Sequence, residues 1–209
     1  MIKIIIIDDH AIVRKGLREI VADTPDLQVT FEASSGAEGM RMIGKNDLDV
    51  VLLDIAMPGQ GGLETLELIK AEKPALPVLI LSFYPEEQYA VRALKLGASG
   101  YLTKGSAPNE LIVAIRKVAA GGKYVNASLA EKLVEYIETD STRPCHETLS
   151  NREFEVMTMI AAGKSVKKIA AELSLSPKTI STHRARLLHK MLLQNNAEIV
   201  RYAIEHDLA

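Results

Sequence analysis

The feature that most constrains this chain is an alternation confined to residues 1–125. Short, largely apolar runs, Ile4 to Ile7, Val29 to Ala33, Val50 to Leu53, Val78 to Leu81 and Gly100 to Leu102, are separated by amphipathic stretches of helical period. Runs that are apolar throughout, rather than at every second residue, suit strands covered on both faces, which means a parallel sheet with helices on each side. Right-handed crossovers then limit the connections. The expected fold of this part is α/β, a five-stranded doubly wound parallel sheet. Ser35 with Glu38 and Ser128 with Glu131 stand at capping-box spacing and mark helix starts.

Beyond residue 125 the strand signal stops. Ser128 to Glu138 has a helical pattern, and Thr139 to Glu147 is polar, contains Pro144 and lacks periodicity, so residues 126–147 read as a linker helix and linker. Residues 148–209 read as a small all-α domain. Ser150 with Glu153 opens its first helix and Gly163 ends it; Val166 to Leu173 forms the second. After a break at Ser174-Leu175, Ser176-Pro177 opens a third helix running to about Leu192, and Asn195 with Glu198 opens a fourth to about His206.

Charge separates the two parts although the whole chain carries a formal net charge of −2. Residues 148–209 hold nine Lys and Arg against six Asp and Glu, and between Lys164 and Lys190 seven basic residues face Glu172 alone. That density suits a polyanion, and equally a solvated helix face. The single cysteine, Cys145, excludes a disulfide scaffold and fits a reducing compartment. No stretch approaches the roughly 18 apolar residues of a membrane span, and the start lacks a signal-peptide core, so a cytoplasmic protein is expected.

In an open α/β sheet ligands bind beyond the carboxyl ends of the strands. The residues expected there are Asp8 and Asp9 after the first strand, Asp54 after the third, Ser82 after the fourth and Lys104 after the fifth. Three carboxylates on one rim repel one another, and a hard divalent cation such as Mg²⁺ would offset that repulsion. Lys104 and Ser82 would then meet the oxygens of a phosphoryl group. Acids and lysines are common at strand ends; the convergence of five such groups on four strands is what points to a site.

Asp8-Asp9-His10, the run Val50 to Pro58 with Gly61-Gly62, Ser82, and Gly97 to Lys104 together resemble the receiver domain of bacterial two-component response regulators, whose fold has strand order 2-1-3-4-5. The resemblance implies that Asp54 is the carboxylate that accepts a phosphoryl group from a sensor histidine kinase. It also implies that Asp8, Asp9 and Asp54 hold Mg²⁺, that Lys104 contacts the phosphoryl group, and that Ser82 and Tyr101 form a switch pair. Gly105 follows the lysine where many receivers have proline.

The helices Val166 to Leu173 and Pro177 to Leu192 have helix-turn-helix spacing. On the second of them Ile180, Leu187, Leu188 and Met191 share one side, and Lys178, Ser181, Thr182, Ala185 and His189 lie opposite. Leu149 to Glu153 together with Ile169 to His183 resembles the LuxR-type helix-turn-helix of NarL/FixJ-type regulators, with Ser165-Val166-Lys167-Lys168 where that family often has a Ser-Asn-Lys-Glu-like tetrapeptide. Arg186, Lys190, Lys167 and Lys168 flank the polar face of that second helix and suit phosphates, and Lys178, Thr179, Ser181, Thr182, His183 and Ala185 complete the candidate DNA contacts. The resemblance implies that Ser181, Thr182 and Ala185 occupy base-facing positions. It also implies homodimerisation on phosphorylation through the last helix, where Ile199, Val200 and Ala203 form an apolar stripe. The expected protein is a phosphorylation-activated DNA-binding transcriptional regulator rather than an enzyme. A receiver controlled without phosphorylation and a Mg²⁺-dependent phosphohydrolase are the rival readings.

Overall fold

In the computed structural model the apolar runs form five strands: β1 (Ile2–Ile7), β2 (Leu27–Ala33), β3 (Val50–Asp54), β4 (Val78–Ser82) and β5 (Gly100–Thr103). All pairings are parallel, in the order β2-β1-β3-β4-β5. Between and after them run α1 (Ala11–Ala22), α2 (Gly36–Ile43), α3 (Gly62–Glu72), α4 (Glu86–Lys95) and α5 (Pro108–Ala119). The structure describes residues 1–83, 86–127, 129–131, 134, 145–206 and 208. Most of the candidate helix over 128–138 and of the linker over 139–147 therefore lies outside the described residues.

Every residue of β3 and β4 is buried, as continuous apolar runs require. On one face of the sheet Ile4, Ile6, Val50, Leu52, Leu79 and Leu81 pack with Leu111, Ala114, Ile115 and Val118 of α5. The β2 strand, at the sheet edge, is only partly buried between its ends, so its apolar signal starts late and the strand begins two residues before the expected Val29. Gly39 brings α2 against β1: a Cβ there would stand 2.4 Å from Ile7 Cδ1. The α2 start is capped as expected, Ser35 accepting from the Glu38 N–H, but the Glu38 carboxylate returns to Ser34 rather than to Ser35.

The chain divides into two units, Met1–Glu131 and Lys132–Ala209. In the second, a 3₁₀ turn (Cys145–Thr148) precedes α6 (Asn151–Ala161), α7 (Val166–Glu172), α8 (Pro177–Lys190) and α9 (Asn196–Glu205). Each of the four helices has a side-chain cap, and α6 carries the full reciprocal box between Ser150 and Glu153. The unit's core joins Phe154, Val156, Met157 and Ile160 of α6 with Ile169, Ile180, Leu187, Met191 and Ile199. Part of the segment read as linker belongs to this unit: His146 Nδ1 lies 3.0 Å from the Tyr202 hydroxyl of α9.

After α8 the chain turns through Leu192, whose φ of +56° lies in the left-handed region and whose side chain is 87% exposed. A leucine there carries a backbone cost of about 1–2 kcal/mol that glycine avoids, and its side chain returns almost no burial. Leu192→Gly is expected to stabilise this unit by about 0.5–1 kcal/mol after glycine's greater unfolded-state freedom is subtracted. Thermal denaturation of the two chains checks it; a lower midpoint in the variant would contradict the expectation.

Candidate functional site

The carboxyl ends of β1, β3 and β5 bring Asp8, Asp54 and Lys104 together. Lys104 Nζ lies 2.6 Å from Asp8 Oδ2 and 2.8 Å from Asp54 Oδ2, and all three side chains are almost wholly buried. The local chain folds to hold them. The His10 N–H donates to Asp8 Oδ1 at 2.7 Å, the Ala56 N–H to Asp54 Oδ1 at 3.1 Å, and the Lys104 N–H to the Ser82 carbonyl at 2.7 Å. Gly62 permits α3 to start against Asp54, since a Cβ would meet the Asp54 carbonyl at 2.2 Å. Burial pushes the Asp54 carboxyl above its usual range, with the Asp8 charge adding to that, while Lys104 pulls the other way.

Asp9 is the more open acid, 23% exposed, with His10 Nδ1 3.0 Å from its Oδ1. Ligand atoms of Asp8, Asp9, His10 and Asp54 all lie within 4.8 Å of one another. Three carboxylates against one ammonium leave negative charge in a buried place, and their hard oxygens suit a cation of the Mg²⁺ type. Ser82 and Tyr101 are completely buried, so the Tyr101 ring already lies inward. Phe83 is a rim residue that sequence reasoning missed. Its ring is 64% exposed, its centroid lies 4.6 Å from Lys104 Nζ, and it meets the His10 ring edge-on. The only signal for it was an apolar residue directly after the hydroxyl.

In the second unit α8 exposes Lys178, Ser181, Thr182, Ala185, Arg186, His189 and Lys190, and α7 exposes Lys167 and Lys168. Thr179 and His183 are only partly exposed.

Residues 4–116 match the response regulator receiver domain, and residues 147–203 match the luxR family of bacterial regulatory proteins. The response regulator UvrY of Escherichia coli is 36% identical over 209 residues, covering 100% of this chain and 96% of that protein. The chain belongs to the LuxR-type response regulators. GacA of Pseudomonas aeruginosa is 34% identical over 209 residues, covering 100% of this chain and 98% of the relative. The solved structure of RcsB from Salmonella enterica serovar Typhimurium, bound to the promoter rprA with phosphomimetic BeF₃⁻, aligns at TM-score 0.65 with 26% identity over 96% of this chain and 97% of that one.

As a LuxR-type response regulator the chain is a DNA-binding transcriptional regulator of a two-component system, not an enzyme, which sets the phosphohydrolase reading aside. Among the described residues of this regulator no helix is long and apolar enough to cross a membrane.

Four residues of the expected DNA and dimer sets have surroundings that sequence spacing does not show. Lys190 Nζ lies 2.6 Å from the buried Glu153 Oε2, so its charge is engaged within the unit, where sequence spacing suggested a phosphate. Ile199 and Ala203 have no exposed surface and pack into the unit's own core, leaving Val200 as the member of that stripe with surface to offer. Burial, with Arg152 and Arg186 nearby, holds the His183 imidazole below its usual range against the opposing pull of Glu153. Its Nδ1 has no hydrogen-bond partner among the described residues. Arg184 of α8 donates from Nε to Asn196 Oδ1 at 2.6 Å.

Proposed function

We propose that this regulator is switched by phosphoryl transfer from a sensor histidine kinase to Asp54 in the cytoplasm, and that the phosphorylated chain binds DNA as a dimer. The observation that carries the reading is the Lys104 ammonium held between two buried carboxylates, 2.6 Å and 2.8 Å away, beyond the ends of the strands.

In the proposed step an Asp54 oxygen attacks the phosphorus of a phosphohistidine, forming an O–P bond as the P–N bond breaks and its electron pair leaves with the imidazole. Lys104 is poised to move its charge from the Asp54 carboxylate to a phosphoryl oxygen, and Ser82, at the end of β4, supplies a hydroxyl to another. Asp8, Asp9 and Asp54 would hold a Mg²⁺ ion, which when bound supplies charge neutralisation for the phosphoryl oxygens. Phe83, over the Lys104 ammonium, limits the directions from which a donor reaches that group.

Ser82 and Tyr101 act as the switch pair in this reading. The buried Tyr101 ring means that the inward arrangement is compatible with the packing before any phosphoryl group arrives, so phosphorylation shifts a population rather than opening new space. On the DNA side Lys167, Lys168 and Arg186 contact phosphates, and Lys178, Thr179, Ser181, Thr182 and Ala185 face the groove. In the dimer Val200 and the 64% exposed Ile204 are the apolar contacts of α9.

Reducing the acyl phosphate with borohydride converts a phosphoaspartate into homoserine. After treatment with acetyl phosphate and Mg²⁺, homoserine is expected at position 54 in the digested wild-type chain. Homoserine at Asp8 or Asp9 instead, or at no aspartate, would contradict the assignment.

A further inference from the structure

The recognition helix α8 presents an unusual set of groups for reading bases. Its exposed face carries two hydroxyls and two methyls, from Ser181, Thr182 and Ala185, with Lys178 as the long donor one turn earlier. Both hydroxyls are committed as donors to the helix backbone: Ser181 Oγ donates to the Pro177 carbonyl at 2.9 Å and Thr182 Oγ1 to the Lys178 carbonyl at 3.0 Å. A serine or threonine hydroxyl has one proton and two lone pairs, so each of these offers only lone pairs outward. Arg186 lies toward the flank beside His183, whose protonation its charge opposes.

The chemistry of the major groove then discriminates between base pairs. A G·C pair presents guanine N7 and O6, two acceptors, before the cytosine amino group, and has no methyl. An A·T pair presents the adenine N6 amino donor in the middle of its edge and the thymine methyl at its side. Outward lone pairs beside the Thr182 and Ala185 methyls complement the second edge and oppose the guanine acceptors of the first.

We propose that Ser181, Thr182 and Ala185 read A·T pairs, the hydroxyls accepting from adenine N6 and the methyls touching thymine C5-methyl groups, and that guanine is not read by these three residues. This rests on the DNA-binding reading of α8 and adds the base chemistry to it.

The test selects binding duplexes from a randomised pool with the full chain, treated with acetyl phosphate and Mg²⁺. It then measures affinity for the selected duplex carrying base analogues at constant salt. Deoxyuridine for thymidine removes the methyl and is expected to weaken binding about fourfold at one or more positions. Purine for adenine removes the N6 amino group and is expected to cost about threefold to tenfold, a penalty lost in the Ser181→Ala, Thr182→Val double variant, which keeps the Thr182 methyl shape. With 7-deazaguanine for guanine, any penalty is expected to vanish in Lys178→Ala and to be unchanged in the double variant.

The proposal is overturned if a 7-deazaguanine penalty disappears in the double variant, or if neither adenine nor thymine analogues weaken binding. It is also overturned if the pool yields no preferred sequence while duplex binding persists. Failure to bind any duplex would instead overturn the DNA-binding reading beneath it.

Discussion

Replacing Lys104 with methionine is expected to lower the midpoint of the receiver unit's unfolding sharply, because Asp8 and Asp54 would then face one another in the interior without a counter-charge. Removing one partner of a buried ion pair costs about 3–5 kcal/mol. Here one ammonium serves two carboxylates, at 2.6 Å and 2.8 Å, so the upper part of that range is expected. Calorimetry without divalent ions reads the loss, and millimolar Mg²⁺ is expected to restore more of the midpoint in Lys104→Met than in the wild type. A loss below about 1 kcal/mol would contradict the account.

The reverse change has the opposite sign. Burial pushes Asp54 above its ordinary value of 3.8, outweighing Lys104, so native Asp54 is harder to ionise than unfolded Asp54. Its ionisation therefore costs stability as the pH rises from about 3.8 through the raised native value, and the cost is complete above it. Asp54→Asn removes that cost, and its receiver is expected to be more stable than the wild type at neutral pH, with the difference closing in acid.

The second large effect belongs to the DNA-binding unit. Glu153→Gln is expected to destabilise it by about 1.5–3 kcal/mol near pH 7, the range for a hydrogen bond to a charged group. Burial pushes Glu153 up, but the Lys190 ammonium and the Ser150 N–H and hydroxyl more than offset it and hold the carboxyl below its usual 4.5. A depressed carboxyl contributes stability above its unfolded pKa and loses it as pH falls through the native one. The gap between the two chains should thus be full above about pH 4.5 and close below it. His183, whose imidazole is held below 6.5, makes both chains less stable as the pH falls from about 6.5, because the unfolded ring takes up a proton that the native one resists. Chemical denaturation across pH 3–8 separates the two. A gap unchanged down to pH 3 would remove Glu153 from the account.

How much was legible depended on whether a group's partner is local. The β3, β4 and β5 strands could be read because both faces are covered, leaving no polar interruption in Val50 to Leu53 or Val78 to Leu81. The N-caps Ser35, Ser150, Ser176 and Asn195 each meet a backbone N–H three residues on, a distance that spacing encodes. The rim residues could be listed because strand ends in a parallel sheet share one side; the bridging of Asp8 and Asp54 by a single ammonium could not, since it depends on side-chain reach. The Lys190 ion pair could not be read because its partner Glu153 is 37 residues away, beyond any local pattern. The α9 stripe was left undivided for a related reason. Helical period groups Ile199, Val200 and Ala203, but only packing against α6 decides that Ile199 and Ala203 face inward and Val200 does not. Phe83 escaped because an aromatic after a strand ordinarily signals core, whereas here its exposed ring covers a buried cation.

The central claim is that a phosphoryl group on Asp54 changes assembly and DNA binding. The most direct measurement is light scattering on the full chain, with intact mass taken from the same samples, before and after acetyl phosphate and Mg²⁺ and with and without a selected duplex. Wild type, Asp54→Asn and Val200→Asp are compared. A single phosphoryl adduct is expected on wild type and Val200→Asp but not on Asp54→Asn, with a shift to a dimer that binds the duplex only in phosphorylated wild type. Equal duplex binding and an unchanged oligomeric state in wild type and Asp54→Asn, with or without the adduct, would contradict it and leave a receiver that regulates without phosphorylation.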